Sequence, residues 1–185
     1  SGAVGSGKTT LMQETARRLK DHINMAVLVG DLETERDAIR IREAGIPSTQ
    51  IVTNGVCHLE AQMILQAFDH LDVGGLDLLF IENVGNLVCP AAFDLGEDYR
   101  VTLLASTEGD DKPAKYPTAI RVSSAVVITK SDLLPYIRCN VDRMKRDIQT
   151  TVPNMPFFLT SAPKGTGAQA FLEWIGEQAT AAGRW

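Results

Sequence analysis

The stretch SGAVGSGKTT, Ser1 to Thr10, constrains what this chain can fold into more than any other. Gly2 is followed by four residues and then by Gly7-Lys8-Thr9, the spacing of a loop that wraps a polyphosphate between a β-strand and an α-helix. Gly2, Gly5 and Gly7 let the backbone turn tightly enough to aim N–H groups inward, and the start of the next helix adds a favourable dipole. Lys8 would reach the β- and γ-phosphates and Thr9 would offer its hydroxyl to Mg2+, with Ser6 and Thr10 as further candidate contacts. A glycine-rich turn that merely precedes a helix would leave the Lys-Thr pair unexplained. Such a loop is normally fed by a buried strand, and here the chain starts at the loop itself. The expectation is a single domain over residues 1–185, truncated before its first strand.

At 185 residues, one domain can bury roughly 70% of its unfolded surface. No apolar run approaches the roughly 20 residues of a membrane span, so a water-soluble chain with no membrane partner is expected. A net charge of −5 lacks the basic footprint of a nucleic-acid binder. Cys57, Cys89 and Cys139 form an odd set without framework spacing, which points to a reducing compartment, the cytoplasm, or to a metal site.

Helical spacing predicts helices over Thr10–His22, Glu35–Ala44, Leu59–Leu71, Val141–Thr151 and Ala168–Ala179. Short apolar runs predict strands over Met25–Val29, Thr49–Thr53, Leu76–Ile81, Val101–Ala105, Ala125–Ile128 and Phe157–Thr160. Asn83–Asp98 and Glu108–Lys115 read as functional loops. The alternation argues for α/β with a mainly parallel sheet, where ligands gather at the carboxyl ends of strands. The phosphate loop, Asp31, Glu82 and Asp132 all fall at predicted strand ends, so they could share one site.

Glu82 and Asp31 together suit metal-assisted phosphoryl transfer: Glu82 as a second acidic group for Mg2+, Asp31 for a metal-bound or attacking water. Thr129-Lys130-Ser131-Asp132 matches the guanine-reading pattern [NT]KxD, in which one carboxylate accepts from both the N1–H and N2–H of guanine. Ser161-Ala162 resembles the loop that backs the base, although Pro163 stands where lysine is usual. Cys57, His58 and Cys89 offer two thiolates and an imidazole, ligands for zinc, nickel or copper. Three ligands leave a four-coordinate ion one short, so water or a second protomer would complete it. The same residues also fit two small buried thiols and a structural histidine. Cys139 has no partner and reads as structural.

Taken together, these residues resemble the hydrogenase nickel-incorporation accessory GTPases, the HypB family. The likeness runs through GAVGSGKT at Gly2–Thr9, GDLET at Gly30–Thr34, GIPSTQI at Gly45–Ile51, GVCHLEA at Gly55–Ala61, FIENVGNLVCPA at Phe80–Ala91 and TEGDDKPAKYP at Thr107–Pro117. Cys-His followed by ENVGNLVCP is its specific part; the urease accessory GTPases share the phosphate loop and lack that cysteine. The resemblance implies a P-loop NTPase fold, Rossmann-like, with helices on both faces of the sheet. It implies Lys8, Asp31 and Glu82 as the hydrolytic set, with Thr9, Asp31 and Glu82 on Mg2+. It assigns Cys57, His58 and Cys89 to nickel or zinc at a subunit interface, Asp132 with Thr129, Lys130, Ser161 and Ala162 to the base, and Lys115 to nucleotide contact across a dimer. The implied activity is slow hydrolysis of GTP by a GTP-dependent homodimer, coupled to nickel delivery with an accessory protein and a hydrogenase large-subunit precursor. Rival readings are a sister metallochaperone serving urease or a cobalamin enzyme, a small-molecule kinase, and a nickel-storing scaffold.

Overall fold

A computed structural model describes residues 1–31 and 36–181, with only the backbone of Arg36. Three helices surround the first three strands: α1 (Lys8–Leu19), β1 (Met25–Asp31), α2 (Arg36–Glu43), β2 (Ser48–Val52), α3 (Ala61–Ala67) and β3 (Leu78–Glu82). The second half runs β4 (Val101–Ala105), α4 (Lys112–Lys115), α5 (Pro117–Arg121), β5 (Ala125–Thr129), α6 (Val141–Thr151), β6 (Phe157–Leu159) and α7 (Ala168–Ala181).

All strand pairs are parallel, in two three-stranded sheets of order β2-β1-β3 and β4-β5-β6. The expected single sheet is thus divided. A groove of about 800 Å³ separates the edges of β3 and β4, lined on its apolar side by Leu78, Phe80, Leu103, Phe171 and Trp174. Residues 1–2 span one end: Ser1 accepts from the Leu103 N–H at 2.8 Å, and Gly2 bridges both Leu103 and Asn86.

Strands β1 and β5, and β4 from Thr102 onward, are buried on both faces as the pattern predicts, whereas β2, β3 and β6 are only partly buried. Along β1, Met25, Val27 and Val29 pack with Ala16, Ala38 and Ile41 of α1 and α2, whereas Ala26 and Leu28 pack with Leu59, Ile64 and Ala67 on the other face. In β5, Val126 and Ile128 meet Ile120, Met144 and Ile148, while Val127 meets Leu11, Phe171 and Ile175. Each fully buried Leu or Ile side chain contributes about 1.5–3 kcal/mol. Helices therefore cover both faces of each sheet.

Several boundaries differ from expectation for physical reasons. Helix α1 starts at Lys8 rather than Thr10, because Gly7 (φ 88°) is its left-handed cap and puts Lys8 and Thr9 in the first turn. Leu59 lies outside α3 and instead plugs the space under Gly30, where a Cβ would meet its Cγ at 2.7 Å. The helix pattern from Leu59 to Leu71 becomes α3 followed by a 3-10 turn over Phe68–His70. The segment expected as a loop over Glu108–Lys115 contains α4, and α5 was not expected at all: Pro113 and Pro117 occupy first-turn positions, where a missing N–H costs nothing. Strands β2 and β3 are displaced by one or two residues, β1 extends to Asp31, and β6 ends one residue earlier. Most of GDLET beyond Asp31, and the expected helix start at Glu35, lie outside the described residues. Among the described residues, no helix is long and apolar enough to cross a membrane.

Candidate functional site

The loop ahead of α1 is closed on itself. Ser6 N–H donates to the Ala3 carbonyl at 3.2 Å, and the Lys8 ammonium, part-buried, donates to the carbonyls of Gly2 (3.1 Å) and Ala3 (3.0 Å). Gly2 has no room for a side chain, since a Cβ would lie 2.5 Å from Ser6 Oγ and 2.8 Å from the Leu103 carbonyl. Burial holds Lys8 below the usual lysine value, opposed by Glu82 and more weakly by Asp31. A cation that trades its water for two carbonyls is poised for a stronger anionic partner.

Glu82 ends β3 and Thr9 begins α1, and the Thr9 hydroxyl donates to Glu82 Oε1 at 2.9 Å in a buried contact. Glu82 is 6% exposed, and its Oε2 has no hydrogen-bond partner. Burial pushes its carboxyl up to about 7, with Lys8 and the Thr9 hydroxyl pulling the other way. An orphaned carboxylate oxygen beside a hydroxyl suits a hydrated Mg2+, whose water would supply the missing donor. Asp31 closes β1 next to this pair and acts on Lys8. Lys8, Thr9, Asp31 and Glu82 are thus brought together, and Thr10 stands exposed in the first turn of α1.

The base-reading candidates form a second, connected group. Thr129 closes β5, and its hydroxyl donates to the Ser6 carbonyl at 2.6 Å. Lys130 takes a left-handed backbone (φ 58°), and its carbonyl accepts from the Ser106 hydroxyl at 2.8 Å. Asp132 Oδ1 accepts from the Ser161 hydroxyl at 2.6 Å, which orients the carboxylate. Ala162 sits in the turn closed by Gly165 N–H at 3.1 Å. Lys115 lies exposed on α4, paired with Asp111 at 2.5 Å.

Cys57, His58 and Cys89 converge, with one donor atom from each within 4.8 Å of the others. The two sulfurs lie 2.7 Å apart, and Cys57 Sγ is 4.0 Å from His58 Nδ1. The His58 ring stacks on Phe93 at 3.7 Å, with Nε2 3.4 Å from a Glu60 carboxylate oxygen. That leaves Nδ1 on the sulfur side. The Cys89 sulfur beside Cys57 raises its thiol. Such a donor set can hold one soft or borderline divalent ion. Cys139 instead contacts Met144 Sδ at 3.7 Å, as a structural residue would.

The comparisons with known proteins bear on the family and the fold. Residues 1–159 match the family model for the CobW/HypB/UreG nucleotide-binding domain. The hydrogenase maturation factor HypB of Escherichia coli is 47% identical over 174 residues, covering 94% of this chain and 60% of that protein. The chain belongs to the HypB family. The hydrogenase/urease maturation factor HypB of Helicobacter pylori is 44% identical over 94% of this chain and 73% of its own length. The crystal structure of HypB from Helicobacter pylori in complex with nickel superposes with a TM-score of 0.93 at 40% identity, covering 98% of this chain and 86% of that one. The chain spans about 60% of the length of the first curated HypB relatives it matches.

Sequence reasoning missed three contributors. Arg100 clamps the irregular segment after β3 by donating to the carbonyls of Pro90 (3.1 Å) and Phe93 (2.8 Å) while pairing with Glu97. Phe93 holds the His58 ring, and Glu108 keeps both carboxylate oxygens buried without partners, its carboxyl raised by burial. None matches a spacing motif: Arg100 works through backbone carbonyls of an irregular segment, Phe93 stacks on a ring 35 positions earlier, and Glu108 is marked only by its burial.

Proposed function

We propose that this chain is a single GTP-binding domain that slowly hydrolyses GTP to GDP and phosphate, and that it uses the nucleotide state to govern nickel delivery during [NiFe]-hydrogenase maturation. The observation that carries the reading is the shared segment: Glu82, beside the phosphate loop, and Cys89, in the thiol-imidazole cluster, lie on one stretch of chain after β3.

Lys8 and the free N–H groups at the start of α1 bind and orient the β- and γ-phosphates. Thr9, Glu82 and Asp31 would hold Mg2+, which when bound offsets charge on the transferred phosphoryl group. Asp132, held by Ser161, accepts from guanine, while Thr129 keeps the base loop attached to the phosphate loop. Turnover of such unassisted sites is on the order of 10⁻⁴ to 10⁻² per second, a pace suited to switching. Cys57, His58 and Cys89 take nickel, or zinc, as cargo, and a second copy of the chain would supply the missing ligands in a GTP-dependent homodimer, with Lys115 reaching the partner's nucleotide. The working partners are a nickel-delivery accessory protein and the hydrogenase large-subunit precursor, in the cytoplasm.

Nickel affinity measured in nucleotide-free, GDP-bound and non-hydrolysable GTP-bound protein tests the coupling. It should differ between states, and equal affinities in all three would sink it. Preference for GTP over ATP separates this reading from a kinase; Lys8→Ala should lose nucleotide, and Cys89→Ala should lose only metal.

A further inference from the structure

The Lys130 carbonyl lies between the end of β5 and Asp132, and it accepts two hydrogen bonds. Leu133 N–H donates to it at 3.0 Å from within the turn that follows, and the Ser106 hydroxyl donates at 2.8 Å from the end of β4, 24 positions earlier. Ser106 is 1% exposed and opens a 3-10 turn over Ser106–Glu108, which packs against the 3-10 turn over Ser131–Tyr136. The first bond belongs to the turn itself. The second ties the turn to another strand.

Lys130 has a use for that restraint. Its backbone is left-handed (φ 58°, ψ 37°), a conformation that a residue with a Cβ adopts only at a cost. The kink turns the chain out of β5, so that Ser131 N–H reaches the Thr160 carbonyl at 3.0 Å and the Asp132 carboxylate meets the Ser161 hydroxyl at 2.6 Å. On the strand side, the Thr129 hydroxyl is already committed to the Ser6 carbonyl. Among the described residues, the side chain that bonds the Lys130 backbone is that of Ser106.

We propose that Ser106 is a positioning residue for guanine recognition, holding Lys130 in its left-handed conformation so that the Asp132 carboxylate faces the N1–H and N2–H of the base. This rests on reading Asp132 as the acceptor for guanine. A carboxylate that accepts from two adjacent donors depends on its angle as well as its distance, so a small rotation of the turn costs recognition. Without the Ser106 hydroxyl, one lone pair of a part-buried carbonyl loses its donor, and the strain at Lys130 is free to relax by moving Asp132. The base-reading unit then has a third piece, the end of β4, beside the end of β5 and the loop after β6. Ser106 falls outside both sequence patterns that mark the other two.

The test is titration of the full-length protein with GDP, IDP and ADP, each displacing a fluorescent nucleotide. IDP lacks the N2 amine, so the ratio of GDP to IDP affinity reads the second hydrogen bond to Asp132, while ADP reads the phosphate loop without a guanine-type edge. Ser106→Ala should weaken GDP by on the order of 2- to 10-fold, the net worth of one hydrogen bond, narrow the GDP-over-IDP ratio and leave ADP unchanged. In an Asp132→Ala background the same substitution should cost no further GDP affinity, because the group it positions is gone. An equal loss of GDP and ADP affinity, or a full further loss in the Asp132→Ala background, would make Ser106 a structural residue and overturn the proposal. Unchanged GDP affinity in Ser106→Ala, with the wild type still preferring GDP to ADP, overturns it while leaving the guanine reading intact. Equal affinity of the wild type for GDP and ADP defeats that reading and this inference together.

Discussion

Replacing Glu82 by Gln separates the cost of its burial from its use. The carboxyl is 6% exposed, and burial raises it from 4.5 to about 7. Between those values the native carboxyl keeps a proton that the unfolded chain has released, so stability falls as pH rises through the window. At 1.36 kcal/mol per unit, wild-type stability without metal or nucleotide should fall by about 2.5 kcal/mol between pH 5 and pH 8 from this group alone. In Glu82→Gln that component is absent. The new amide lacks an acceptor where Oε2 now has no partner, but this penalty is independent of pH and shifts the whole curve. Urea unfolding of both proteins at pH 5, 6, 7 and 8 yields the difference in stability at each pH. That difference should shrink by about 2.5 kcal/mol across the range; parallel profiles would refute the buried, unpaired carboxyl. The same proton competes with Mg2+, so wild-type Mg-nucleotide affinity should weaken toward about tenfold per unit below pH 7.

Thr129→Val keeps the shape of the side chain and removes its 2.6 Å bond to the Ser6 carbonyl, leaving that acceptor buried. The cost of about 1–3 kcal/mol should appear as a drop of roughly 5- to 150-fold in GDP affinity by fluorescent-nucleotide titration. Ser161→Ala frees the Asp132 carboxylate from its 2.6 Å donor and should narrow the GTP-over-ATP preference about fivefold, with phosphate binding unchanged. Phe93→Ala removes the ring stacked 3.7 Å from His58, so nickel affinity should fall several-fold while GDP affinity holds; unchanged nickel binding would mean that the stack does not orient the ligand.

Much of the candidate site was legible because the short apolar runs end at candidate site residues: β1 at Asp31, β3 at Glu82 and β5 at Thr129. Strands buried on both faces must be continuously apolar, and polar groups return only where the strand leaves the core. What escaped the sequence depends on distance. Pro113 and Pro117 read as loop signals, yet each starts a helix, since proline is tolerated in a first turn. The division of the sheet between β3 and β4 falls where a strand normally feeds the phosphate loop, since Gly2 bridges Leu103 of β4 on one side and Asn86, just after β3, on the other.

Thr129 shows why a departure from a motif has to be judged in three dimensions. Threonine in place of asparagine reads as a weaker base contact, but its hydroxyl bonds the phosphate loop across 123 residues of sequence. Ser106 binds the Lys130 carbonyl and Ser161 binds Asp132, so the Thr129–Asp132 segment, the candidate base reader, is fixed on three sides. Glu82, by contrast, has one oxygen unsatisfied, and the segment beyond it meets the phosphate loop through the Gly2–Asn86 bridge and the Gly85–Val4 contact. Fixed hydrogen bonds around Thr129–Asp132 would favour recognition without rearrangement, while the orphaned carboxylate of Glu82 gains most from a new partner. Any change between nucleotide states should therefore concentrate after Glu82, the segment that ends at Cys89.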